Sequence, residues 1–238
     1  ITLYHGGLID IAGGAVNLYG GTLSGGVVKG IKVDGTAKTP RGGNIYMDGG
    51  TLGVYGGTIT SGMAIFGTSS SAQGGNVYAT TSRDGKTARI IISAGTVTDG
   101  YSDWDGGNFY FGTAELTLTD SGSIADGHAV RHGGNMEMSA ETTVVSLLGG
   151  TVTGGVAGGT LAGSTSSQSG GGGGNIFGYM GTLRIADCTI DGNMRMGGDM
   201  TSVTLSGVVK IGLGTSSGLI LAKGMALNVS DLEAGSEI

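Results

Sequence analysis

The chain has 238 residues, of which 54 are Gly, 1 is Pro and 1 is Cys, and 38% are hydrophobic. Gly at that density without a three-residue period excludes collagen, and the apolar content excludes a disordered polypeptide, which lacks the residues to build a core. Lys and Arg number 12 against 18 Asp and Glu, a net charge of -6, so no basic patch is expected for nucleic acid or an anionic membrane surface.

The chain opens within a strand-like ITLY and shows no signal peptide, which points to a processed product or an excerpt of a longer secreted protein. No apolar run is long enough to cross a bilayer, so no membrane insertion is expected within this segment. Residues 6–26, GGLIDIAGGAVNLYGGTLSGG, realign without a gap on residues 42–62, GGNIYMDGGTLGVYGGTITSG, at an offset of 36. This internal repeat organises the whole chain. In the second copy the stretches 45–47, 52–54 and 58–60 alternate apolar and polar residues, the period of a strand. Each unit therefore predicts three short strands and three corners. Gly suits the corners because it has no Cβ to clash at positive φ, and Asn is next best there.

The Gly-Gly-Asn corner returns at Asn44, Asn76, Asn108, Asn135 and Asn175, at spacings of 32, 32, 27 and 40. Variable spacing around a fixed motif means loops of different length on a constant frame. Aligning the units yields three apolar columns. The first is Ile9, Ile45, Val77, Phe109, Met136 and Ile176. The second is Leu18, Val54, Ile92, Leu118, Leu147, Ile185 and Leu205, and the third is Leu23, Ile59, Val97, Ile124, Val152, Ile190 and Val209. Beside the third, Thr22, Thr58, Thr96, Ser123, Thr151 and Thr189 predict an outward hydroxyl ladder, whose Thr-x-Thr rows also have the form of a flat ice-binding array, broken by Ala125 and Asp191. The insertions 26–41, 63–73, 99–105, 126–132 and 155–172 are expected to emerge as loops along one edge. The last holds a low-complexity run with Ser164, Ser166, Ser167 and Ser169.

The fold expected is an all-β, right-handed parallel β-helix of roughly eight coils with three short strands per coil. It forms a single domain over residues 1–238, and stacking at about 4.8 Å per coil gives a rod on the order of 40 Å tall. Cys188, in a strand-like CTI, reads as a small packed residue.

The five corner Asn residues read as a structural ladder bonded amide to amide. The richest polar stretch, DGYSDWDGGN at 99–108, aligns on DGHAVRHGGN at 126–135 at an offset of 27. That alignment stacks Asp99 on Asp126, Tyr101 on His128, Trp104 on Arg131 and Asp105 on His132. Trp over Arg predicts a cation–π contact, and Asp105 beside His132 an ion pair that raises the imidazole pKa. As a binding site, Asp99, Asp103, Asp105 and Asp126 form a carboxylate set of the kind that Ca²⁺ or glycoside hydrolysis requires. Tyr101 and Trp104 are then platforms for stacking a sugar. Against that, Asp-Gly is an ordinary turn pair, and Arg131 or His132 neutralises the group.

The pattern GGNIY, then the TLGV strand and GGTIT, resembles the repeats of large secreted, adhesin-like bacterial surface proteins of the pectin-lyase-like β-helix superfamily. The ending, Leu227-Asn228-Val229 through Asp231-Leu232 to Gly235-Ser236-Glu237-Ile238, is similar to the terminal coil of such arrays. The resemblance implies an extracellular or cell-surface location and a structural or adhesin-like role without enzymatic activity. Copies of the chain itself, as a homo-oligomer or filament, are the partners it implies. A polysaccharide lyase or glycoside hydrolase, or a carbohydrate-binding adhesin with glycans as ligands, is the alternative, because one solenoid frame hosts all of these. No family catalytic motif carries over onto these positions, no metal ligand is assigned, and no cofactor is expected beyond Ca²⁺ on the carboxylates.

Overall fold

The computed structural model describes residues 4–67, 71–158, 172–212 and 218–238. Among these residues the regular structure is all strand, and no helix is long and apolar enough to cross a membrane. Apart from one antiparallel hairpin, the strands pair in parallel, each with its equivalent in the next repeat. The result is an all-β, solenoid-like stack of rungs.

The first column runs in unbroken register from Ile9 through Ile45, Val77, Phe109, Met136 and Ile176, then on to Met194 and Leu219. The second runs from Leu18 to Leu205 as expected and continues to Val229. Most of these side chains are fully buried in one continuous core that includes Cys188. Each rung buries its apolar face only against the next, the physical reason a solenoid is stable as a stack and not as single coils. The third column holds from Leu23 to Ile190, but there Ile211, not Val209, takes the next place. Val209 is still buried; it sits two residues before the registered position, and Lys210 follows Thr189 in the outward row. In that row Thr151 bonds Ser123 hydroxyl to hydroxyl at 3.2 Å.

Two features depart from three strands per unit. In two repeats the second and third stretches run together as single strands, Ala15–Ser24 and Thr51–Thr60, and in two later ones the first and second do, Ile176–Ala186 and Met194–Gly207. In addition, the starts of the insertions are not loops. Val27–Lys29, Met63–Ile65, Tyr101–Ser102, His128–Ala129 and Val156–Ala157 form a second parallel sheet. Its inward column is Val28, Ala64, Ser102, Ala129 and Ala157. Small side chains let this short sheet close over a minor core of Val28, Ala64 and Ala72, with Phe66 and Trp104 packed against it. Within the first insertion, Ile31–Val33 and Thr36–Lys38 form the antiparallel hairpin, turned by Asp34 and Gly35 at φ 48° and 76°. Positive φ at both central residues is the I′ turn that Asp-Gly favours. Most of the 155–172 insertion, with its four serines, lies outside the described residues.

The Gly-Gly-Asn corner divides its work three ways. The first Gly supplies positive φ, 65° at Gly42 and Gly106. The second supplies close approach: a Cβ on Gly107 would run into the Gly134 carbonyl oxygen and the His128 backbone nitrogen. Asn is not there for a left-handed conformation, contrary to expectation; that conformation falls instead to Ser61, Asp99 and Asp126, at φ 56°, 52° and 50°.

Candidate functional site

Each corner Asn is buried and bonded at both ends of its amide. Asn44 Nδ2 donates to Asn76 Oδ1 at 2.7 Å, Asn76 to Asn108 at 2.6 Å, Asn108 to Asn135 at 2.7 Å, and Asn135 to Asn175 at 2.6 Å. The same oxygens accept the amides of Gly26, Gly62, Gly100, Gly127 and Gly155. The same nitrogens donate to the carbonyls of Thr60, Thr98, Ala125, Thr153 and Asp191. A primary amide offers two donors and two acceptor sites, so in Asn76, Asn108 and Asn135 all four are used and nothing is left to offer a ligand.

The polar stretch is brought together only in part. Asp99 and Asp126 lie at exposed corners, where the Asp99 carboxylate accepts from Thr60 and Thr98 hydroxyls. They do not converge with Asp103 and Asp105 into a carboxylate cluster: they precede the short strands Tyr101–Ser102 and His128–Ala129, whereas Asp103 and Asp105 follow the first of these. Asp103 is buried, accepting from Tyr101 Oη at 2.7 Å and from the Phe66 amide at 2.8 Å. Tyr101 is 5% exposed and its ring meets His128 at a 41° tilt. Trp104 carries the Arg131 guanidinium 4.4 Å above its ring and packs on Phe66 at 5.8 Å. Burial withdraws the Tyr101 ring from solvent, and Arg131 covers one face of Trp104.

Asp105 and His132 do stack, in a row of bridge residues that reads His5, Arg41, Gln73, Asp105, His132 and Gly172. Beside this row runs the outward column of the first strands: Asp10, Tyr46, Tyr78, Tyr110, Glu137, Phe177 and Arg195. Tyr46, Tyr78 and Tyr110 stack with their rings 2° and 7° from parallel. Three bridge residues reach the column residue one rung on: His5 stacks on Tyr46, Arg41 sits over Tyr78, and His132 stacks on Phe177 at 4.1 Å.

Where this rule reaches Asp105 it meets Glu137, the one acidic residue in the aromatic stretch of the column. Both side chains are nearly inaccessible, 2% and 5% exposed. Arg131 binds Asp105 with two nitrogens, Nε at 2.8 Å and the second through Nη2. Burial alone would lower the Arg131 pKa, but the bond and charge of Asp105 raise it. Glu137 is pushed well above the ordinary carboxylate range, by burial first and then by the Asp105 charge facing it. His132 Nδ1 lies 3.6 Å from Asp105 Oδ1 and 3.9 Å from Glu137 Oε2. Its pKa is lowered rather than raised, because burial outweighs Asp105 and the Arg131 and Arg195 charges add to burial. Among the described residues, Asp105, His132 and Glu137 form the group of potential metal ligands whose donor atoms all lie within 4.8 Å of one another.

The group borders a depression of about 420 Å³ lined by Tyr110, Arg131, His132, Glu137, Ser139, Phe177 and Tyr179. Of these, sequence reasoning singled out only Arg131 and His132. Glu137 was legible as the Glu of GGNMEM standing where GGNIYM, GGNVYA and GGNFYF carry Tyr.

The chain is thus an all-β, parallel, solenoid-like protein, and among the described residues it carries a buried acid–base cluster on its outer wall. Compared with protein-family models, curated proteins and solved structures, it matches none.

Proposed function

We propose that the chain is a right-handed parallel β-helix of about eight coils that serves as a structural, adhesin-like element of a bacterial exterior, built of repeats like those of pectin-lyase-like surface proteins. The observation that carries this reading is the use of polar chemistry for stacking: the corner amides are saturated rung to rung, and Tyr101, Asp103 and Trp104 are spent on one another's neighbours. A protein whose repeated geometry is its register is suited to span distance or bear load. The terminal rungs add support, since Leu227–Leu232 pairs on one side with Met194–Gly207 and leaves Val229 and Leu232 exposed. Exposed strand edges of this kind favour pairing with a second copy, as in a filament. Electron microscopy of native material, with X-ray scattering of the chain itself, tests this. A rod on the order of 40 Å tall, joined end to end in native material, is expected; a compact sphere overturns the β-helix and dispersed rods overturn the filament.

Glycan cleavage is the second reading, and the Asp105–Glu137 pair is the observation that favours it, two facing acids of which Glu137 is pushed well above the ordinary carboxylate range by burial and then by the Asp105 charge. Their donor atoms lie within 4.8 Å, closer than the roughly 5–5.5 Å or 6.5–9.5 Å that retaining and inverting glycosidases use, and both are buried. Cleavage of any acidic or neutral glycan, lost on Asp105→Ala, would establish it. Glycan binding without cleavage has the exposed Tyr179 beside the depression as its platform, and a glycan array tests that.

A further inference from the structure

The Glu137 carboxylate presents an anomaly that the stacking role does not explain. Its Oε2 is buried and has no hydrogen-bond partner, although buried polar atoms ordinarily find at least one. That atom faces His132 Nδ1 at 3.9 Å, and His132 Nδ1 faces Asp105 Oδ1 at 3.6 Å. Two acidic oxygens and one imidazole nitrogen therefore converge from two successive rungs, Asp105 and His132 from the bridge row and Glu137 from the strand column.

We infer that Asp105, His132 and Glu137 form a binding site for a divalent transition-metal ion of the Zn²⁺ or Mn²⁺ class, with its open coordination positions facing the depression lined by Tyr110, Ser139 and Tyr179. This goes beyond the structural role, and neither depends on the other. Metal–nitrogen and metal–oxygen bonds of about 2.0–2.2 Å put tetrahedral ligand atoms on the order of 3.4 Å apart, so the two measured separations need to close by only a few tenths of an ångström. The donor set selects the ion. One imidazole with two carboxylates suits Zn²⁺, Mn²⁺ or Fe²⁺, whereas Ca²⁺ requires six to eight oxygens, and the exposed Asp99 and Asp126 do not supply them. The surroundings are those of an oriented site. The two nitrogens of Arg131 fix the Asp105 carboxylate, and Phe177 stacked at 4.1 Å fixes the imidazole plane, the outer-shell support that ligands to a metal typically have. The ion would sit between the two acidic side chains and relieve the repulsion between them. With Arg131 alongside, the occupied site carries a net positive charge, so its open positions would take water or an anionic or hydroxyl-bearing group from the depression.

The test is titration of the full chain with Zn²⁺, Mn²⁺ and Ca²⁺ by calorimetry, and with Co²⁺ by visible absorption, which reports ligand number directly. Wild type is expected to bind one Zn²⁺ or Co²⁺ with micromolar or tighter affinity and Ca²⁺ at least tenfold more weakly. Glu137→Gln keeps the side-chain shape and removes the charge, and it and His132→Gln should each weaken binding at least tenfold. Asp99→Asn, at an exposed corner, should leave it unchanged. Circular dichroism of each variant separates lost ligation from lost fold. Absence of binding to a folded wild-type chain overturns the inference. So does binding that survives both ligand variants, which would place the ion elsewhere, for example at His5 and Asp10, 3.1 Å apart.

Discussion

Asn108→Ala probes the element on which the rung-to-rung register depends. Asn108 accepts the Gly100 amide at 2.9 Å and the Asn76 amide at 2.6 Å, and donates to the Ala125 carbonyl at 2.6 Å and to Asn135 Oδ1 at 2.7 Å. All four bonds are lost together on truncation. At about 1 kcal/mol net for each, the substitution costs about 4 kcal/mol, and the stranded Gly100 amide adds to it because a buried donor without an acceptor loses its full desolvation penalty. Asn44, at the end of the ladder, makes three such bonds and should cost about 3 kcal/mol. Thr96→Ala, on the outward row, should stay within about 0.5–1 kcal/mol. Guanidinium unfolding of the three variants, with the slope compared against wild type, gives the ranking. Hydrogen exchange at Gly100 shows whether the ladder opens locally at the altered rung. A loss under about 1 kcal/mol for Asn108→Ala, or a larger loss for Asn44→Ala, would refute the idea that the amides hold the register.

Three further outcomes follow from the same geometry. Burial, ahead of all other causes, raises the pKa of Tyr78 and Tyr110 above the ordinary 10.0, so these tyrosines keep their protons in the folded chain after the unfolded chain has lost them. Their stabilising contribution is complete below pH 10 and is lost as pH rises toward the folded values, at up to about 1.4 kcal/mol per pH unit for each; Tyr78→Phe should flatten the alkaline fall measured by denaturant titration. The Cys188 thiol is pushed up to about 12 by burial, so alkylation at pH 8 should be negligible in the folded protein and rapid in denaturant, a contrast that mass spectrometry reads. Gly107→Ala forces a Cβ into backbone atoms of the next rung and should cost at least about 3 kcal/mol, while Gly20→Ala, which meets nothing, should stay within about 0.5 kcal/mol in the same melt.

The columns were legible because apolar alternation and glycine corners recur in step, and a one-residue slip would turn every side chain to the wrong face. Legibility failed where the pattern offers two equivalent choices. VVKIG alternates at both Val209 and Ile211, and only the bond from the Lys210 amide to the Cys188 carbonyl, which sets Lys210 beside Thr189, selects the second. The second sheet was hidden by the variable loops that follow it, yet each inward residue stands five positions beyond its third-column residue, 59 to 64, 97 to 102 and 124 to 129. In the candidate site the stacking of Trp104 with Arg131 and Asp105 with His132 followed from one alignment. The direction of the His132 shift did not, because burial and the Arg195 charge come from rungs remote in sequence. Glu137 was passed over because it sits in a strand column, where an acidic residue looks like solvent-facing decoration until the Arg131 and Phe177 side chains are seen to cover it.

The most direct measurement is disulfide trapping across neighbouring rungs. Thr58 pairs with Thr96 in register, and Thr60 pairs with Thr98. Neighbouring strands lie about 4.8 Å apart, inside the range a disulfide spans, whereas a two-residue offset puts Cα atoms on the order of 8 Å apart, beyond it. With Cys188 buried and out of reach, Thr58→Cys/Thr96→Cys should oxidise fully to an intramolecular bridge under mild oxidant, and Thr58→Cys/Thr98→Cys should keep both thiols free. Bridging of the offset pair with none in the registered pair would contradict the stacked-rung structure from which everything else is derived.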